Sequence, residues 1–110
     1  MDVVVKKTFE LSDDEIKAIY RLFKEVFGLE RDVNTFRGEY SNTPLGYSYH
    51  SLLLDDNKSI VGFHSCMPFY YRKDHDRFMA ALGIDSMVKK EYRDYFNFHD
   101  MIVSCQKRLK

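Results

Sequence analysis

The spacing of apolar and polar residues along this chain predicts an alternation of strands and helices. Val3, Val4 and Val5, with Thr8 and Phe9, are β-branched or aromatic and open the chain as a strand. Leu11-Ser12-Asp13-Asp14-Glu15-Ile16 then gives a complete helix start: Ser12 can cap, Glu15 can reach back, and Leu11 can pack on Ile16. Ile16, Ile19, Tyr20, Phe23 and Phe27 recur at helical spacing as one core-facing stripe, and Gly28 offers a left-handed stop. A shorter helix is expected over Asp32 to Tyr40, weakened by Gly38 and ended by the turn formers from Ser41 to Gly46.

Tyr47 to Leu54 and Ser59 to Tyr71 read as the arms of a hairpin around the turn Asp55-Asp56-Asn57-Lys58. If Leu54 faces Ser59, His50 falls opposite Phe63 and His64 opposite Tyr49. Pro68 cannot donate to a ladder, so it marks a bulge or an edge. After a turn at Arg72 to Asp76, Arg77 to Val88 returns as a third strand, and Phe98, Met101, Ile102, Cys105 and Leu109 line one face of a closing helix. The order is β-α-α-β-β-β-α, an α+β fold with a mainly antiparallel sheet and helices packed on it. Residues 1–110 form a single domain.

Composition narrows the function classes. With 45% hydrophobic and 31% charged residues the chain is globular in character, and no apolar run is long enough to span a membrane. The formal net charge is zero, which gives no bulk attraction to nucleic acid or anionic lipid. Pairs such as Lys6-Lys7 and Lys89-Lys90 read as solvated surface. The N-terminus lacks the order of a secretory signal, and Cys66 and Cys105 stand far apart in sequence, so a cytoplasmic protein with two free, buried thiols is expected.

Several motifs follow one another in a recognisable order: Phe36 to Gly46 with its Asn-Thr-Pro-Leu-Gly turn, Ile60-Val61-Gly62-Phe63, Met67-Pro68, and Ile84-Asp85-Ser86-Met87-Val88. Together they resemble the N-terminal half of the GNAT superfamily of acetyl-CoA-dependent N-acetyltransferases. The resemblance implies that acetyl-CoA lies against the last strand, with Met87 and Val88 offering backbone groups to its pantetheine arm. It places the pyrophosphate on Arg93-Asp94-Tyr95-Phe96-Asn97-Phe98, at the start of the closing helix, where unpaired amides favour an anion.

Family loops carry glycines at this point, often as Arg-Gly-x-Gly-x-x, so that a phosphate can approach the backbone. Here Asp94 and Phe96 stand in the glycine positions. A carboxylate beside the phosphates costs on the order of ~1 kcal/mol or more, and Phe96 fills space the phosphate needs. Phe96 and Phe98 are expected to pack. The family elements that bind the acceptor amine and wall the cofactor would lie beyond Lys110, which leaves the strand containing Asp85 to Val88 as an open edge. That edge is expected to be covered by the closing helix or to pair with a second copy as a homodimer.

Two functional readings follow from these residues. The first is an acetyltransferase domain, inactive or very weak as this chain, with Asp85 as the carboxylate nearest the thioester and Tyr92 or Tyr95 as proton donors. The second is a non-catalytic module that self-associates through the open edge. For His50 and His64 the pairing puts the rings on opposite faces of the sheet, and His75 and His99 lie in a turn and at a helix start, so no metal site is expected.

Overall fold

The computed structural model describes residues 2–28, 32–74 and 76–108; His75 and Leu109 lie outside the described residues. Four strands, β1 (Asp2–Lys7), β2 (Tyr49–Leu54), β3 (Ile60–Lys73) and β4 (Asp76–Val88), form one antiparallel sheet in sequence order. Helices α1 (Asp13–Phe27) and α2 (Val33–Ser41) precede β2, and α3 (Tyr95–Arg108) follows β4. The expected α+β order is the observed one.

Local chemistry fixes the start and end of α1. Ser12 Oγ accepts the Glu15 amide at 3.1 Å while Glu15 Oε1 accepts the Ser12 amide at 3.0 Å, so both halves of the capping box are closed. Gly28 sits at φ 71°, a left-handed conformation that ends the helix without a side-chain clash. The stripe is buried from Ile16 through Phe23 and includes Leu22, whereas Phe27 at its end is 50% exposed. Its ring contact is with Phe23 alone among the described rings.

Period-two alternation along β2 and β3 sends successive residues to two covered faces. On one face Leu52, Phe63 and Met87 meet Leu11, Ile16, Ile19, Phe23, Phe36 and Tyr40 from the first two helices and their approach. On the other, Leu53, Val61 and Val88 pack on Met101, and Tyr49 and Cys66 pack on Cys105, both from α3. Gly62 is the closest point between sheet and helix: a Cβ there would lie 2.9 Å from Leu53 Cβ and 3.2 Å from Met101 Sδ. Ser51 Oγ completes the seat by donating to the Met101 carbonyl at 2.6 Å.

The hairpin register differs from the expected one. His50 pairs with Ser65 and Ser51 with His64, because the turn closes with the Asp55 amide on the Ser59 carbonyl and the ladder then shifts between Leu53 and Leu54. Leu54 therefore faces Ile60, and His50 lies two places further along than a pairing of Leu54 with Ser59 would put it. A shift of two preserves the face, so His50 and His64 still point to opposite sides. Pro68 pairs with Ala81 of β4 beyond the last β2 partner, Cys66, where its missing donor is not needed.

His50 is fully buried within the α1–α2 side of the sheet. Its Nε2 lies 2.8 Å from Thr8 Oγ1 and its Nδ1 2.7 Å from Ser65 Oγ, and its ring stacks on Phe63 and meets Tyr40 edge-on. Both ring nitrogens are satisfied by hydroxyls, so no partner rewards a second proton. Burial pushes its pKa down to about 3, and burial lowers that of His64 as well.

An unfolded imidazole binds a proton near pH 6.5 while the folded His50 does not until about 3. Between these values the unfolded state holds more protons, so stability falls as pH falls. From His50 alone, unfolding at pH 5 is expected to be easier than at pH 7.5 by about 2 kcal/mol, with His64 adding in the same direction. Urea denaturation at the two pH values measures this; equal stabilities would contradict a buried neutral His50.

Candidate functional site

The candidate site forms where β4 ends and α3 begins. Phe63 pairs with Met87 and Ser65 with Ile84, so Asp85 and Ser86 together oppose the single residue His64. This is a β-bulge at the expected acyl position. The backbone of Asp85 lies in it; the side chains of Asp85, Tyr95 and Phe98 lie outside the described part of the structure.

The ladder separates Met87 from Val88. Lys89 donates its amide to the Val61 carbonyl at 2.8 Å, which makes Gly62 and Val88 a non-hydrogen-bonded pair and turns the Val88 amide and carbonyl outward. Met87, one residue earlier, pairs with Phe63 and turns its backbone groups inward, away from the outer edge on which it was expected to offer them. Both side chains are buried, Met87 against the α1 side and Val88 against Met101. Of these two residues, Val88 is the one that presents backbone at the outer edge.

Arg93 and Asp94 occupy this end of the site from within. Arg93 Nε donates to the Val88 carbonyl at 2.9 Å, on the oxygen that was expected to meet pantetheine. Asp94 Oδ1 accepts the Asn97 amide at 2.7 Å, which makes Asp94 the N-cap of α3, and Asn97 Nδ2 donates to the Tyr92 carbonyl at 2.7 Å. Asp94 therefore turns onto the amides that would hold a pyrophosphate. Phe96, expected to pack, is 73% exposed.

Helix α3 lies across a face of the sheet and leaves the side of β4 free of a fifth strand among the described residues. Beneath α3, His64 Nδ1 is hydrogen-bonded to Ser86 Oγ, and His64 Nε2 lies 3.6 Å from Cys66 Sγ. Cys66 in turn lies against Cys105, whose thiol donates to the Tyr49 carbonyl at 3.3 Å, and the Cys105 contact with burial pushes the Cys66 thiol up. These side chains were not expected to meet; only the parity of His64 and Cys66 on one strand was readable.

Other features are less suited to the chemistry. A groove of about 740 Å³ runs between α1 and the β2–β3 turn, with Lys89 at one end, and contains none of the expected site residues. Its carboxylates Glu15 and Glu25 lie 2.7 Å from Lys6 and 3.8 Å from Lys89. Among the described residues no three His, Cys, Asp or Glu are grouped to hold a metal, and no helix is long and apolar enough to cross a membrane.

No family model and no curated protein sequence matches the chain. Solved structures do. Arabidopsis thaliana NAA60 in complex with acetyl-CoA superposes with a TM-score of 0.63 at 11% identity, over 97% of this chain and 69% of that one. The same plant protein with a bisubstrate analogue gives 0.62 at 9%, over 97% and 67%. An aminoglycoside acetyltransferase from an uncultured soil metagenomic sample gives 0.58 at 18%, over 98% and 72%.

Replacing Asp94 by Ala removes the cap of α3 and is expected to lower stability by about 1 kcal/mol in urea denaturation, with Asn largely restoring it. An unchanged midpoint for Asp94→Ala would contradict the cap. In its element order, sheet topology and superposition the chain has the fold of the GNAT acetyltransferases.

Proposed function

We propose that this chain binds acetyl-CoA along the outer edge of β4 and supports a weak transfer of the acetyl group to an amine. The observation that carries this is the outward-turned backbone of Val88 beside the Asp85–Ser86 bulge, in a fold shared with a plant acetyltransferase crystallised with acetyl-CoA. Arg93, Asp94, Tyr95, Phe96, Asn97 and Phe98 would meet the pyrophosphate. Asp94 must leave the Asn97 amide for that to happen, and Arg93 must exchange the Val88 carbonyl for phosphate. Both exchanges weaken binding, and the second supplies a cation where it is wanted.

The outer side of β4 favours a second reading. An edge strand of 13 residues, its outer side unpaired among the described residues, presents a row of donors and acceptors, to which the same strand of a second copy could add as a non-catalytic homodimer. The two readings compete for the same backbone groups. A soluble setting suits either, and the cytoplasm is where acetyl-CoA and free thiols coexist.

Acetyl-CoA titration followed by thermal unfolding separates them. Stabilisation is expected at millimolar acetyl-CoA, approaching about 2.7 kcal/mol at a hundred times the dissociation constant, with several-fold tighter binding in Asp94→Ala. Sedimentation in parallel should then show dimer dissociating as cofactor is added. No stabilisation at millimolar acetyl-CoA sinks the first reading, and a monomer at every protein concentration sinks the second.

A further inference from the structure

The side chains beneath the β4 bulge form a chain of hydrogen bonds that runs in one direction. Cys105 donates its thiol hydrogen to the Tyr49 carbonyl, which accepts only, so the Cys105 sulfur is left as an acceptor for the neighbouring Cys66. With its own hydrogen directed there, the Cys66 sulfur can accept from His64 Nε2. The proton of a neutral His64 then sits on Nε2, and Nδ1 carries the lone pair. That lone pair faces Ser86 Oγ. Every donor along Ser86, His64, Cys66 and Cys105 has one acceptor, and the only end that reaches solvent is Ser86.

Packing holds the imidazole in this position. His64 is 4% exposed, and a Cβ on Gly83 would stand 3.2 Å from its Cε1, so the bare backbone of Gly83 is what lets the ring lie flat against β4. Ser86 owes its outward placement to the bulge, which sets two β4 residues opposite His64. An exposed serine hydrogen-bonded through its hydroxyl to the unprotonated nitrogen of a fixed, neutral imidazole is the arrangement by which a serine is made to accept and pass a proton.

We propose that Ser86 and His64 form a proton relay for acyl transfer at this edge, Ser86 meeting the substrate and His64 acting through it; this rests on the reading of acetyl-CoA along β4. The amine nitrogen forms its bond to the thioester carbonyl carbon and the carbon–sulfur bond breaks. The amine's proton passes to Ser86 Oγ as the serine's own proton passes to His64 Nδ1. It then returns through Ser86 to the departing thiolate, which leaves as the free thiol, and both residues end as they began. Asp85 is not needed for this step.

Two measurements on the full chain test the relay. Long-range 1H–15N spectra of the labelled protein, assigned with His64→Gln, are expected to place the proton on Nε2, with the Nδ1 resonance moving when Ser86→Ala removes its donor. A proton on Nδ1 overturns the relay whether or not acetyl-CoA binds. Thiol release from saturating acetyl-CoA, with a peptide bearing a free α-amine as acceptor, is expected to fall about 100-fold in kcat in Ser86→Ala, with KM for acetyl-CoA unchanged and Ser86→Thr retaining most of the rate. Equal kcat in Ser86→Ala overturns the relay and leaves the acetyl-CoA reading intact, whereas a wild type that binds acetyl-CoA and releases no thiol overturns the relay and the transfer and leaves only the binding. A wild type that binds none overturns that reading and the catalytic role of the relay with it.

Discussion

Burial of the β2–β3 hairpin on both faces is the constraint from which the rest of the fold follows. Leu52 and Phe63 must be covered by α1 and α2 while Leu53, Val61 and Cys66 must be covered by α3, so neither layer can be removed without exposing a strand face to water. Gly62 and Ser51 then fix how α3 lies, one by allowing Met101 to approach and the other by bonding its carbonyl. The polar residues on these strands survive burial because each has a partner. His50 has Thr8 and Ser65, and His64 has Ser86 and Cys66.

Once α3 is seated, its first turn has little freedom. The connection from Val88 is only long enough for a single tight turn at Lys90–Tyr92, which delivers Arg93 to the Val88 carbonyl and Asp94 to the Asn97 amide. A donor and an anion of the chain itself thus occupy the Val88 carbonyl and the Asn97 amide, the groups that an amide donor and a phosphate would use under the proposed reading. The same geometry stabilises the unliganded protein and weakens a ligand, since whatever binds must first displace internal hydrogen bonds. At this position Asp94 suits the helix start: Asp is among the best N-caps, and glycine there would cap less well by a few tenths of a kcal/mol (~0.3).

Local signals in the sequence were sufficient for the elements and their faces. The capping box at Ser12 and Glu15, the stripe from Ile16 to Phe23 and the alternation in β2 and β3 each depend on neighbours within one element. Register was not legible, because the shift at Leu53–Leu54 is set by how the turn closes and leaves no mark in the apolar pattern. The capping role of Asp94 is legible as an aspartate just before a helix. Nothing local links Cys105 to Cys66 and His64; only the packing of α3 on the sheet brings them together. The 73% exposure of Phe96 was not legible either, because hydrophobic character alone does not fix which side of a helix meets the sheet.

The account turns on which backbone groups of β4 face outward at the bulge, since both the cofactor reading and the edge-pairing reading need them. Amide hydrogen exchange, followed residue by residue in the dilute unliganded protein, measures this directly. The Phe63, Met87 and Lys89 amides, held in the β3–β4 ladder, are expected to exchange slowly, and the Val88 amide between them to exchange fast. A Val88 amide as protected as its neighbours, with exposure shifted to Met87, would mean that the ladder is out of phase and that the outer edge does not present the site described.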